Sequence, residues 1–322
     1  MKNTISTDGC NTFDIKERIP YFYKKDNEKI QPRLTGVKNN IYYFELKYRS
    51  PVKSIYNKNN TVYAQYIEPK NKKYAVVFLH GWSVSQGIKW LHFATLLAKS
   101  NIAVLFIELP YHIHRTPEGM RSGELFIVAD AVKTFNSFEQ AVLDVRKGID
   151  FLNDRGFERI GIIGTSIGSM ISVIVQAEDK MIDKSVLILS GGDIGLLKWK
   201  SFATKQLRRD HIKQGVTHNV CIERRKAFKN FLEKVRRGKL PSEIEAPIAC
   251  YYFDPLVFAP QIETDKVLMI NGLFDVLIPR ASTIKLWKEL GKPKLIWYPL
   301  SHLTIYLAFP SIIKAISRFL LN

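Results

Sequence analysis

From Tyr74 to the C-terminus the chain alternates two kinds of apolar pattern. Short, nearly continuous runs (YAVVFLHGW, IAVLFIELP, SVLILSGGD, KVLMINGLFD and KLIWYPL) predict buried strands, because a strand covered on both faces has no polar side to show. Between them, apolar residues recur at helical spacing over Trp90 to Ala98, Phe138 to Leu152, Ser282 to Leu290 and a last segment after Pro310. Strands and helices in alternation predict a mostly parallel central sheet with helices on both faces. Upstream, Ile41 to Arg49 and Thr61 to Ile67 read as an antiparallel pair at a sheet edge, joined by the polar loop SPVKSIYNKNN.

One strand-to-helix junction carries candidate chemistry. In ERIGIIGTSIGSMISVIV, residues 158–175, the β-branched run ends in Gly164-Thr165-Ser166-Ile167-Gly168 and an apolar helix follows. A serine at the tip of such a turn is expected to hold a positive φ, and a Cβ at 164 or 168 would collide across it. The same string also describes a glycine-rich loop whose serine caps the helix. The other strand ends decide, since ligands and reacting groups gather at the carboxyl ends of parallel strands. There stand His80-Gly81-Trp82, the loop PYHIHRTPEGMRSGE, Ser166, Gly191-Gly192-Asp193, Gly272-Leu273-Phe274-Asp275 and Ser301-His302. A serine, an acid and a histidine in the order Ser166, Asp275, His302 is the order expected of α/β-hydrolases.

On these residues the chain resembles that superfamily from about Tyr74 onward. LHGW is similar to its His-Gly oxyanion segment, GTSIGS to its nucleophile elbow, and NGLFDVLIP and PLSHLT to its acid and histidine loops. Within the superfamily, LPYHIHRTPEGMRSGE and LWKELGKPKLIWYPLSH resemble bacterial hydrolases related to dienelactone hydrolase and acyl esterases. The resemblance implies an α/β-hydrolase fold with a helical cap insertion, and backbone N–H donors of Trp82 and Ile167 for an oxyanion, with the Trp82 ring lining the acyl pocket. A serine hydroxyl needs a base within reach, and His302 is the natural one. The histidine needs an acid to hold its tautomer; Asp275 fits best and Asp193, after another strand, is the second candidate.

The remaining histidines and the arginines receive more modest expectations. His80 is expected to be a structural hydrogen-bonder under the oxyanion loop, and His92 ordinary packing. His112 and His114 have a spacing that suits a metal, but no third ligand is evident, so neither a metal nor a cofactor is expected. His211 and His218 receive no role. Arg115 and Arg121 either bind a substrate carboxylate or phosphate, or pair with Glu118 and Glu124 to fix their loop.

Charge then singles out one segment. The net charge is +18, and Lys198 to Leu240 alone holds 14 Lys/Arg against 3 acids. The predicted organisation is an N-terminal arm (1–40), the first part of the hydrolase core (41–193), a basic cap insertion (194–261) and the second part of the core (262–322). Within the cap, Phe228, Phe231, Leu232 and Val235 form an apolar stripe expected to pack over the pocket, with cations on the other faces. Those cations favour an anionic substrate or surface; nucleic acid is not expected, because no recognised motif accompanies them. The N-terminus has no signal-like apolar run, and no apolar stretch approaches the ~18 residues of a membrane span. Cys10, Cys221 and Cys250 form no close pair, so a soluble cytoplasmic protein is expected. The reading is a serine hydrolase acting on a small carboxylic ester through an acyl-enzyme. The alternatives are an amide, peptide or thioester substrate for the same residues, or a non-catalytic module that binds an anionic partner through its basic cap.

Overall fold

The computed structural model describes residues 19–72 and 74–322; residues 1–18 of the predicted arm, Cys10 among them, lie outside the described residues. The chain runs β1 (Arg33–Lys38), β2 (Ile41–Arg49), β3 (Thr61–Pro69), β4 (Tyr74–Leu79), α1 (Ile88–Ala98), β5 (Ile102–Ile107) and α2 (Ala131–Asp154). It continues with β6 (Ile160–Thr165), α3 (Ile167–Glu178), β7 (Ile182–Ile188), α4 (Ile194–Lys200), α5 (Lys205–Lys213), α6 (His218–Arg224) and α7 (Phe228–Arg236). Then follow α8 (Pro255–Phe258), β8 (Val267–Gly272), α9 (Arg280–Glu289), β9 (Lys294–Tyr298) and α10 (Phe309–Leu321).

The strands form one sheet in the order β1-β2-β3-β5-β4-β6-β7-β8-β9. Pairing is antiparallel from β1 through β3 to β5 and parallel from β5 onward. This is the α/β-hydrolase fold that the sequence predicts. Side chains of the central strands alternate between two cores. Ala75, Val77 and Leu79 join one core with residues of α2 and α3, while Val76 and Phe78 join the other with residues of α1 and α10. Strands with both faces covered explain the unbroken apolar runs. Among the described residues no helix is long and apolar enough to cross a membrane.

Three features differ from the sequence expectation. The arm contains a strand, β1, whose residues are largely exposed and therefore carry no apolar alternation. Its Tyr21 is buried and its hydroxyl donates to the Tyr252 carbonyl at 2.5 Å, so this part of the arm is fastened to the core. Helix α2 begins at Ala131, not Phe138, because the Asp130 side chain accepts from the Val132 and Lys133 amides and caps it there.

The third difference lies between β7 and β8. Helix α7 does bury its stripe of Phe231, Leu232 and Val235, but against α8 and the ring of Tyr251, with Phe231 at 5.3 Å and Phe228 at 5.0 Å. The stripe therefore does not form the wall of the Ser166 cavity; α4 and α5 do. The expected outcome for Phe231→Ala is a stability loss of about 3 to 5 kcal/mol, read from the urea midpoint. KM for a short ester should stay at its wild-type value. A shifted KM without destabilisation would put this ring in the pocket.

Candidate active site

Strand β6 passes into α3 through Ser166, which has φ 54° and ψ −118°. A non-glycine residue at such a φ is strained and must be held by its surroundings. The Ser166 amide donates to the Ile188 carbonyl at the end of β7 (2.8 Å). A Cβ on Gly164 would lie 2.3 Å from the Gly168 carbonyl oxygen, and one on Gly168 would lie 2.6 Å from the His80 carbonyl oxygen. Both glycines are therefore required by backbone contact, as the sequence reading expects.

Asp275 follows β8 and His302 follows β9. One Asp275 oxygen accepts from the amides of Leu277 and Ile278, both at 2.8 Å, while the other lies 2.7 Å from His302 Nδ1. The carboxylate is held by its own loop and can only accept from the ring, so Nδ1 is the donor of this contact. Asp193 has different partners: Arg225 at 3.1 Å, Lys285 at 2.5 Å and the Leu196 amide. Burial works against its ionisation, yet Arg225 and Lys285 hold its carboxyl below the usual carboxylate range. Asp193 thus ties the helical segment to α9.

Ser166 and His302 border two cavities. One, of about 570 Å³, is lined by Trp82, Phe138, Ile167 and Met170; the other, of about 420 Å³, by Gly81, Ser83, Trp90 and Tyr306. Among the described residues, neither the Trp82 nor the Ile167 amide has a protein acceptor.

The loop bearing Trp82 is braced from below. His80 is fully buried, with Nδ1 2.8 Å from the Gly81 carbonyl and Nε2 accepting from the Leu109 amide (3.1 Å). His112 Nδ1 contacts the Pro110 carbonyl (2.8 Å), and its Nε2 accepts from the Ser83 amide (3.2 Å). Trp82 Nε1 donates to the Gly123 carbonyl at 2.8 Å. His114 turns elsewhere, to Glu108 at 2.7 Å, with its ring stacked on Tyr63. His112 and His114 therefore do not converge on a common point.

Of the two alternatives open for the arginines, both show ion pairing. Arg115 is fully buried and pairs with Asp144 of α2 (2.8 Å), and it donates to the carbonyls of Asn59 and Glu108. It is not placed to meet a substrate, and its partner is Asp144, not Glu118. Arg121 is exposed, pairs with Glu124 at 3.4 Å, and lies outside the two cavities that Ser166 borders. Sequence reasoning missed Lys198 and His211, which line the larger cavity. The available signal was spacing: Thr204, Leu207 and His211 share one face of the α5 region at i, i+3 and i+7.

Comparison with known proteins agrees with this fold. The family model described as alpha/beta hydrolase domain containing 18 matches residues 17–194, a span that includes the Ser166 turn. The chain belongs to that family. Two uncharacterised proteins of Mycobacterium tuberculosis are 23% identical over 264 residues, which is 79% of this chain and 56% of theirs. The chain thus spans about half the length of the curated relatives it matches. Among solved structures, a cold-adapted esterase from an Arctic intertidal metagenomic library is similar with a TM-score of 0.56 at 17% identity, over 92% of this chain and all of that one. An acetyl xylan esterase from Paenibacillus sp. R4 gives 0.59 at 16%, over 89% and 88%. An acylaminoacyl peptidase from Pyrococcus horikoshii gives 0.57 at 14%, over 91% and 41%. These likenesses cover about nine-tenths of this α/β-hydrolase and agree with its fold.

Burial pushes the His80 imidazole down to about 4 and His112 further below its ordinary value. Because an unfolded histidine titrates near 6.5, the stability gained by keeping His80 neutral is present above about pH 6.5 and is lost as pH falls toward 4. In an NMR titration the His80 ring signals should stay constant from pH 8 to about pH 5. A midpoint near the unfolded value would show that the ring protonates without cost and does not brace the loop.

Proposed function

We propose that this α/β-hydrolase is a serine hydrolase that cleaves a carboxylic ester through an acyl-enzyme, with Ser166 as nucleophile, His302 as base and Asp275 as the acid that orients it. The observation carrying this reading is the His302 Nδ1 to Asp275 contact at 2.7 Å beside a strained Ser166 that borders the same cavities as His302.

In this reading, His302 Nε2 takes the Ser166 hydroxyl proton as the oxygen attacks the ester carbonyl. Negative charge on the carbonyl oxygen is met by the amides of Trp82 and Ile167, donors already fixed by the braced loop and the start of α3. The imidazolium returns its proton to the departing alcohol, and water, activated by the same ring, releases the acid. The larger, apolar cavity suits the acyl group and the smaller one the leaving group. No step calls for a cofactor.

A fluorophosphonate probe should label the wild-type protein and not Ser166→Ala, and Ser166→Ala should lose about 10⁶-fold in kcat. Asp275→Asn should lose about 10⁴-fold with the fold intact, because the ring takes the wrong tautomer. Asp193→Asn should mainly lower stability, through its Arg225 and Lys285 pairs. If Asp193→Asn is the crippling change and Asp275→Asn the mild one, the acid is misassigned. Amide turnover exceeding ester turnover would overturn the substrate class.

A further inference from the structure

The larger cavity is mostly apolar and carries two basic side chains on one wall. Near Ser166 it is walled by Met170, Ile167 and Phe138, while at the α4 and α5 wall it is lined by Lys198 and His211. His211 is 3% exposed and its Nδ1 has no hydrogen-bond partner. The Lys198 ammonium makes no ion pair among the described residues. An enclosed nitrogen without a partner is costly, and a half-buried cation without a counter-charge compounds that cost.

A carboxylate in the cavity would give Lys198 the counter-charge it lacks. We propose that Lys198 and His211 form a carboxylate subsite in the acyl cavity, so that the preferred substrate is the half-ester of a dicarboxylic acid, its free carboxylate lodged against α4 and α5. This rests on the hydrolase reading above. Lys198 supplies the positive charge, and the imidazole supplies its Nε2–H as donor to the second carboxylate oxygen, Nδ1 being closed off from the cavity. Burial, then the nearby charges of Lys198 and Arg224, push His211 down to about 3, so the ring is neutral at pH 7 and does not repel the lysine. A cavity of about 570 Å³ holds a ligand of medium size. An acyl chain ending in methyl would leave Lys198 without a counter-charge. The reaction adds water across the acyl C–O bond and releases the alcohol and the dicarboxylic acid.

The test compares p-nitrophenyl half-esters of linear dicarboxylic acids of increasing length with p-nitrophenyl esters of monocarboxylic acids of matched length. At one chain length the carboxylated ester should have the higher kcat/KM. Lys198→Met should lower the ratio of carboxylated to neutral turnover by about 10- to 100-fold, chiefly through KM, and Lys198→Arg should restore part of it. Arg209→Gln, exposed on α5, should leave the ratio alone. Because the contact is direct, the preference should fall less with added salt than a long-range attraction would. A carboxylated ester favoured at no length, or equal losses for both series in Lys198→Met, would overturn the subsite.

A second measurement separates this from the hydrolase reading. Ser166→Ala protein is titrated calorimetrically with the monomethyl half-esters of the same dicarboxylic acids. Binding that is lost on adding Lys198→Met supports the subsite even if wild-type protein fails to label with fluorophosphonate. Absence of binding across the series overturns the subsite even if labelling succeeds.

Discussion

The closeness of α3 to the end of β6 governs the geometry at the carboxyl edge of the sheet. Ser166 can occupy its strained backbone region only because Gly164 and Gly168 let two backbone segments touch where any side chain would collide. Strain of this kind costs about 1 to 3 kcal/mol. It is offset by the burial of α3, whose residues from Ile167 to Ala177 are enclosed between the sheet and α2. The same approach brings Gly168 against the carbonyls of Leu79 and His80. Thus one tight contact sets the serine and the end of β4 relative to each other, and the Trp82 loop inherits its position from both.

That loop is kept in place by polar groups taken out of water, which makes the bracing all-or-none. His80 and His112 each use both ring nitrogens, and each would have to give up an acceptor to take a second proton. Arg115 joins the 3₁₀ turn at Asn59, the loop after β5 and the middle of α2 through one guanidinium. A buried charge pair of this sort contributes little net stability, but removal of one partner strands the other. The contacts that fix the loop after β5 are therefore the reason Arg115 is unavailable to a substrate.

What the sequence made legible follows from which interactions are local. Strands β4 to β9 were readable because burial on both faces leaves unbroken apolar runs, and Ser166, Asp275 and His302 were readable because each directly follows such a run. Asp193 follows one too, so position alone kept it a candidate. What separates it from Asp275 is partners more than 30 positions away, Arg225 and Lys285, which no local pattern encodes. Strand β1 escaped notice because both its faces are mostly exposed. The α7 stripe announced burial correctly, but an amphipathic face does not say which surface it meets, and it met Tyr251 and α8 instead of the cavity. His211 was legible only as a polar residue on the face that Leu207 shares, a signal that gains meaning once that face is known to line the cavity.

The excess positive charge of the helical segment divides by environment, and the division decides what each cation can do. Arg225 is spent on Asp193 and Asp254, and Arg236 bridges Glu233 of its own helix and Glu289 of α9, so these fasten the segment to the core. Exposed cations such as Lys229 and Arg237 act only through a field that salt screens beyond about 8 to 10 Å. They raise the encounter rate with any anion and discriminate among none in particular. Lys198 differs because it lines the cavity, where screening is weak and the low dielectric strengthens a direct contact. A single half-buried lysine can therefore set selectivity between acyl groups that the numerous surface cations, for all their net charge, cannot distinguish.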